Sequence, residues 1–296
     1  MEVHRLVGDH EYMMLLVPAD VLRPRRPDEH FAAEAIAARE AGLEVAVIDH
    51  DAAARGGDHE AAVARVPAGS DALYRGWMLR AEQYAALAAA LAARDVVLRT
   101  SAEQYRQAHE LPGWYAALEA VTPESVWTVG DDRDDFDRAC SALKSGPAVL
   151  RDYTKSMKHY WHEAAFIPDV ADTSTAWQVA TRFRQLRDED FTGGFVLRRF
   201  EVFTGAEART WWIDGACRLV TAHPDTPDEH APADLDRTAV APLIAALELP
   251  FVTADLVRRD DGRWRVVEIG DGQVSDRPVS TPADALITAQ RRQGLS

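Results

Sequence analysis

Residues 251–275 read FVTADLVRRDDGRWRVVEIGDGQVS and have the pattern of a β-hairpin. Two runs rich in Val, Ile, Leu and Trp flank Asp261-Gly262, a dipeptide typical of a two-residue type I′ turn. Such a turn determines which residues face each other across the two strands. It predicts these opposed pairs: Asp260 with Arg263, Arg259 with Trp264, Arg258 with Arg265, Val257 with Val266, Leu256 with Val267, and Asp255 with Glu268.

The last of these pairs sets two carboxylates, Asp255 and Glu268, against each other. Opposed side chains in an antiparallel pair have Cβ atoms about 5 Å apart, so like charges there destabilise the sheet. A shared proton, an arginine such as Arg259 or Arg265, or a divalent metal would offset the repulsion. Mg²⁺ prefers carboxylate oxygens and commonly joins one or two of them to substrate phosphates. The metal alternative therefore predicts a nucleotide as well.

Composition restricts the class of protein. A chain of 296 residues with 47% hydrophobic content suits two globular domains. The formal net charge of −15 argues against a nucleic-acid partner and against binding to an anionic membrane surface. Its 2 cysteines make no disulfide scaffold, and their spacing does not suggest zinc. No apolar run approaches the length of a membrane span, so we expect a cytoplasmic protein.

The first part of the chain predicts an α/β domain that ends near residue 120. We expect strands over 11–17, 43–49 and 96–100, and helices over 29–42 and 81–95. Gly42 is placed where a helix commonly ends. The order strand, helix, strand is typical of an α/β unit.

A basic loop follows a predicted strand over 147–153. Its sequence TKSMKHYWHEA is dense in Lys, His, Tyr and Trp. Only three lysines occur in the chain, Lys144, Lys155 and Lys158, and two of them lie in this loop. Ammonium groups and backbone N–H donors on such a loop suit the binding of phosphates, although the chain has no Gly-rich P-loop motif.

The remaining elements lead into the hairpin. We expect helices over 171–190 and 236–250 and strands over 194–203, 208–215 and 217–222, with a turn at TGAE, residues 204–207. The loop after residue 222 contains His223 and His230, to which we assign no metal.

Three segments, PAVLRDYTKSMKHYW, FVLRRFEVFTGAEARTWWIDG and the hairpin itself, occur in the order found in ATP-grasp proteins. Over about residues 120–280 the chain resembles a bacterial and phage branch of that superfamily long described as a domain of unknown function. The first domain, above all YRGWML, is similar to the small α/β domain that precedes many ATP-grasp modules. The resemblance implies a mixed α/β and α+β fold, with an N-terminal α/β domain in 1–120 and a two-lobed ATP-grasp domain in 121–296.

The resemblance also implies ATP and Mg²⁺ as cofactors. The phosphate-binding positions correspond to Arg151, Lys155 and Lys158. The segment whose backbone reads adenine corresponds to Arg199, Phe200, Glu201 and Val202, and the acid that binds ribose to Glu207. The magnesium ligands correspond to Asp255 and Glu268, the pair that the hairpin register identifies independently.

Two positions depart from the wider superfamily. Arg151 stands where a lysine is usual, which keeps the charge but changes the geometry of phosphate binding. Gly270 stands where an asparagine usually supplies a third metal ligand, so Asp271, Gln273 or water would supply that oxygen. We expect Gln273, Ser275, Arg209 and Arg75 near the substrate, with a structural ion pair as the alternative for Arg209.

These observations predict an ADP-forming ligase that activates a carboxylate as an acyl phosphate and joins it to an amine. The carboxylate would belong to a small molecule or a peptide. Arg151, Lys155, Lys158 and Arg209 are the candidate catalytic residues. A kinase acting on another acceptor and a nucleotide-binding module without catalysis are the alternatives, and the products of ATP turnover would distinguish them.

Overall fold

The computed structural model describes residues 13–56 and 58–290, which contain three four-stranded sheets. The first sheet is wholly parallel, in the order β2-β1-β3-β4. Its strands are β1 (Met13–Pro18), β2 (Val45–Ile48), β3 (Asp71–Tyr74) and β4 (Val97–Leu98). The helices between them are α1 (Glu29–Glu40), α2 (His50–Arg55), α3 (His59–Ala62) and α4 (Ala81–Ala92). The expected α/β unit is confirmed, and residues 11 and 12 of its predicted first strand lie outside the described residues.

Local signals explain where α1 begins and ends. The Asp28 side chain accepts a hydrogen bond from the His30 backbone N–H, which satisfies one of the free donors at the start of the helix. After the helix, Gly42 adopts a φ of +81°, a conformation that glycine reaches without steric cost. Phe31 and Ala35 then face the first sheet from the buried side of the helix.

The second sheet is antiparallel, in the order β5-β8-β6-β7. Helices α5 (Ala102–His109) and α6 (Leu111–Leu118) connect the first sheet to it. Its elements are β5 (Ser125–Trp127), α7 (Arg133–Leu143), β6 (Ala148–Arg151), β7 (Phe166–Ile167), α8 (Thr173–Arg187) and β8 (Val196–Arg199). A single π-helical turn, Trp161–Ala165, precedes β7. Phe136, Phe183 and Phe195 form the centre of the core between this sheet and its helices.

The third sheet is also antiparallel, in the order β10-β9-β11-β12. Its elements are β9 (Phe203–Ile213), β10 (Ala216–Ala222), α9 (Ala241–Ala245), β11 (Phe251–Arg259) and β12 (Trp264–Asp271). The last helix, α10 (Ala283–Gln290), returns to the first domain, where Leu286 and Ile287 share a core with Phe31 of α1. No helix among residues 13–56 and 58–290 is long and apolar enough to cross a membrane.

The structure confirms the hairpin and its Asp255–Glu268 pair but corrects the register near the turn. The turn has three residues, because the Arg259 N–H donates to the Arg263 carbonyl at 2.8 Å and only Gly262 has positive φ (+86°) within the turn. A type I turn followed by a left-handed glycine explains this geometry. The pairing therefore starts one residue out of register, with Leu256 opposite Val266. A β-bulge at Val267 restores the predicted pairing at the two acids.

The predicted turn at residues 204–207 is wrong. These residues belong to β9, an eleven-residue strand that pairs with β11 along most of its length. The pairing shifts between Leu256, opposite Ala208, and Arg258, opposite Thr204, and Gly205 has a φ of +86°. The turn-like composition thus marks a β-bulge within a strand, since a bulge also favours a left-handed glycine. The predicted helix over 236–250 likewise shrinks to the five residues of α9.

Candidate active site

Two arginines from outside the hairpin offset the charges of the acid pair. Asp255 is only 2% exposed, and it accepts hydrogen bonds from Nε and Nη2 of Arg209, each at 2.8 Å. Glu268 accepts one from Nη2 of Arg151 at 3.1 Å. The ion-pair alternative for Arg209 is thus present in the structure.

Arg259 and Arg265, the hairpin's own arginines, do not neutralise the acid pair. Both donate to the carboxylate of Glu201 instead. Side chains alternate between the two faces of a strand, so Arg265 and Glu268, three positions apart on β12, are directed to opposite faces. The sequence argument considered only arginines near the acids along the chain, and that restriction was the error.

The arginines decide the ionisation of the two acids. Burial alone would raise the pKa of Asp255, but the positive charge and hydrogen bonds of Arg209 lower it to about 2. Burial also opposes ionisation of Glu268, and the charges of Arg151 and Lys155 bring its pKa below the usual value. Both groups are therefore anionic at neutral pH, as metal ligands must be.

A third acid and a histidine lie beside Asp255. Ligand atoms of Glu207, His223 and Asp255 all lie within 4.8 Å of one another, which makes this trio a candidate cation site. Burial and then the negative charge of Asp255 raise the pKa of Glu207 to about 7. His223 was missed because it lies in an irregular loop. Its signal was its position directly after β10, where the register that pairs Ala222 with Ala208 continues towards Glu207.

The structure does not bring Asp271 and Gln273 to the acid pair. Asp271 lies three residues after Glu268 on β12 and so faces the opposite side of the strand. Gln273 is fully buried against the first domain, where its Oε1 accepts from the Tyr74 N–H at 3.2 Å and its Nε2 donates to the Tyr84 hydroxyl at 2.8 Å. Both residues therefore join the hairpin to the first domain.

Arg75 and Ser275 also serve this junction. The Arg75 guanidinium is 2% exposed and donates to both carboxylate oxygens of Glu34, at 2.7 and 2.9 Å, as well as to the Ser275 carbonyl. The Ser275 hydroxyl bonds to that of Thr253 at 2.7 Å and to the Asp271 carbonyl at 2.9 Å. The guanidinium of Arg75 is thus occupied by protein partners, which argues against the expected contact with substrate.

The basic loop lies next to the acids and is held by a residue that the sequence did not reveal. Asp152, fully buried, accepts hydrogen bonds from the backbone N–H groups of Thr154 (2.8 Å) and Lys155 (2.7 Å), and from Arg187 (2.8 Å). Its position after Arg151, at the end of a strand, was its only sequence signal. The backbone of Lys155 is therefore fixed, while its exposed ammonium has no ion pair among the described residues.

Lys158 joins this loop to the loop after β10. Its ammonium pairs with the carboxylate of Asp225, whose backbone N–H in turn donates to Nδ1 of His223 at 3.2 Å. The two loops therefore meet beside Asp255. Lys144 is not part of this arrangement, since it caps the end of α7.

Comparison with protein families decides the identity of this arrangement. A model of an ATP-grasp domain, the third family of its clade, matches residues 140–289. The chain belongs to this ATP-grasp family. The match includes β6 with its basic loop, the whole of β9 and the hairpin, so it contains both acids of the opposed pair.

Solved structures share the fold over nearly the whole chain. The crystal structure of a RimK domain protein ATP-grasp from Sphaerobacter thermophilus is 17% identical, covers 93% of this chain and 98% of its own, and has a TM-score of 0.60. D-cycloserine synthetase DcsG is 19% identical over 94% of this chain and 100% of its own, with a TM-score of 0.61.

The ATP-grasp ligase PsnB, solved with a minimal precursor, Mg and ADP, is 14% identical over 94% of this chain and 98% of its own, with a TM-score of 0.53. No curated protein matches the sequence. These structures establish the two-lobed ATP-grasp fold that the resemblance predicted.

The segment Arg199–Val202 connects β8 of the second ATP-grasp sheet to β9 of the third. Phe200 forms an aromatic cluster with Trp161 and Phe166, whose ring centroids lie 6.2 and 5.5 Å from its own. Glu201 and Val202 are held by the hairpin, through Arg265 and through the Asp260 N–H, which donates to the Val202 carbonyl at 3.0 Å. The Arg199 guanidinium bonds to the carbonyls of Leu143 and Ser145.

Proposed function

We propose that the protein is an ATP- and Mg²⁺-dependent carboxylate–amine ligase that forms an acyl phosphate and releases ADP. The observation that carries this proposal is the opposed pair Asp255 and Glu268 beside the basic loop of Arg151 and Lys155. We also propose that residues 1–120 and 121–296 are its two domains, with the substrates bound where the two meet.

The donor set of the acid pair fits Mg²⁺. Carboxylate oxygens are its preferred protein ligands, and both acids are ionised because of their arginine partners. The raised pKa of Glu207 indicates more negative charge around Asp255 than Arg209 balances, which a bound cation would relieve. Asp255 and Glu268 would hold the ion, with Glu207 in reach of Asp255. When bound, Mg²⁺ would neutralise charge on the phosphates.

The chain's own residues would perform the remaining steps by binding and orientation. Arg151 and Lys155 would bind the phosphates, since their cationic groups lie at the end of β6 and have few competing acid partners. Arg209 would orient Asp255 through its two hydrogen bonds, and Phe200 would lie against the adenine. This chemistry requires no protein nucleophile, because the amine itself attacks the acyl phosphate.

The substrates would be a small-molecule or peptide carboxylate and an amine. Support for this range comes from the structural neighbours, which include D-cycloserine synthetase and a ligase solved with a precursor peptide.

The test is product analysis after incubation with Mg²⁺, ATP and pooled amino acids and small carboxylic acids. We expect ADP rather than AMP, formed only when a substrate pool is present, together with a new amide detected by mass spectrometry. Asp255→Asn and Glu268→Gln should each abolish ADP formation. Asp260→Asn, an exposed acid at the turn of the same hairpin, is the matched control and should retain it.

Two results would contradict the proposal. Full turnover in both Asp255→Asn and Glu268→Gln would remove the metal assignment. A phosphoester in place of an amide would identify a kinase.

A further inference from the structure

A cleft of about 550 Å³ lies between the first domain and the basic loop. One wall comes from Met78–Gln83 before and within α4, a second from Tyr105, His109 and Glu110 at the α5–α6 junction, and a third from Thr154–Ser156. This volume is in the range of small-ligand sites. Lys155 lines the cleft and also lowers the pKa of Glu268, so the cleft adjoins the proposed site of phosphoryl transfer.

The walls of the cleft are fixed. Arg80 of the first domain pairs with Asp190 of the second at 3.0 Å, and this ion pair joins the two sides. Asp152 holds the backbone of the third wall through Thr154 and Lys155. The cleft is thus a built feature of the fold.

His109 offers a free hydrogen-bond acceptor to this cleft. Its Nδ1 lies 3.1 Å from the Tyr105 carbonyl oxygen, and a carbonyl can only accept, so Nδ1 carries the proton. The ring stacks on that of Tyr105, with centroids 4.3 Å apart, which fixes its orientation. Burial lowers the pKa of His109 to about 4, so the ring is neutral at pH 7. Nε2 therefore keeps its lone pair and has no hydrogen-bond partner among the described residues.

The next residue, Glu110, supplies a second acceptor at the same end of the cleft. It ends α5, is half-buried, and has only Arg106, at 3.5 Å, as an ion-pair partner among the described residues. The opposite end of the cleft presents the unpaired ammonium of Lys155. The cleft is therefore polarised, with acceptors at the α5–α6 junction and a cation at the basic loop.

We propose that this cleft binds the amine substrate, with His109 Nε2 and Glu110 accepting hydrogen bonds from its primary ammonium group. The inference rests on the proposed ligase function and adds the location and recognition of the second substrate. An imidazole lone pair and a carboxylate both select N–H donors, whereas Lys155 attracts the phosphorylated carboxylate. Met78, Leu79 and Ala81 provide an apolar wall for an aliphatic part of the amine.

The test uses the full-length protein and two probes, L-leucinamide and N-acetyl-L-leucinamide, which differ in the primary amine. Isothermal titration should show millimolar binding of L-leucinamide and at least about tenfold weaker binding of the acetylated probe. Glu110→Gln and His109→Phe should each weaken L-leucinamide binding by about tenfold, since each loses one acceptor. His230→Phe, which changes an exposed histidine outside the cleft, should bind like the wild type.

Equal binding of both probes, no effect of the two cleft variants, or no binding at about 20 mM would each overturn the inference. Glu110→Gln keeps the shape of the side chain, so the test stands even where His109→Phe fails to fold. A parallel titration of the wild type with Mg²⁺ and a non-hydrolysable ATP analogue separates the two proposals. Loss of nucleotide binding would count against the ligase, whereas amine binding tests the cleft alone.

Discussion

Replacement of Asp271 by Asn should stabilise the protein, and the gain should grow with pH. Asp271 is 1% exposed, its Oδ1 accepts from the Gln273 N–H at 2.8 Å, and its Oδ2 has no hydrogen-bond partner among the described residues. Burial raises its pKa from 3.8 to about 7. Between these values the folded protein holds a proton that the unfolded chain has released, so stability falls as pH rises through this window.

The size of the effect follows from the pKa shift. One pKa unit corresponds to about 1.4 kcal/mol, so ionisation of Asp271 costs about 1.5 kcal/mol of folding free energy at pH 5 and about 4 kcal/mol at pH 8. Asparagine has nearly the same shape and does not titrate. The variant should therefore gain about 2.5 kcal/mol over the wild type between pH 5 and pH 8, because other titrating groups contribute equally to both proteins.

Urea unfolding of both proteins at pH 5 and pH 8 measures this difference directly. Asp260→Asn, an exposed acid on the same hairpin, is the control and should run parallel to the wild type. If the Asp271→Asn variant also runs parallel to the wild type, the buried acid is not neutral in the folded protein. The same variant should retain Mg²⁺-dependent nucleotide binding, because Asp271 faces away from Glu268.

Two further substitutions test the proposed active site. Arg209→Ala removes both guanidinium donors of Asp255, and the unpaired buried charge should cost about 3–5 kcal/mol in urea unfolding; an unchanged midpoint would show that the ion pair contributes nothing. Asp152→Ala removes the acceptor for the N–H groups of Thr154 and Lys155, so affinity for a Mg²⁺-bound ATP analogue should fall about tenfold by calorimetry. Unaltered affinity would separate Asp152 from phosphate binding.

Much of the fold could be predicted because its signals are local. The α1 helix with its Asp28 cap and Gly42 end, the strand of Val45–Ile48 and the hairpin all follow from periodicity and turn chemistry. The errors arose where one local pattern suits two structures. A Gly-containing stretch such as residues 204–207 serves a turn or a bulge equally well, and only its pairing with β11 decides between them.

The acid pair was predicted correctly although the register that led to it was partly wrong. A three-residue turn moved the pairing by one position, and the bulge at Val267 moved it back before Asp255 and Glu268. Neither feature has a signature in the hairpin that a two-residue Asp-Gly turn would lack. The agreement at the acids therefore owes more to the family resemblance than to the turn.

The partners of the acids could not be predicted, because they come from strands far away in sequence. Arg209 is 46 residues from Asp255, and Arg151 is 117 residues from Glu268. Each is brought into place by a sheet, Arg209 by the pairing of β9 with β11 and Arg151 by the contact of the second sheet with the third. The charge balance of the site is thus a property of the assembled sheets. Since the arginines already offset the repulsion, a bound cation would add to a folded site and would not be needed to form it.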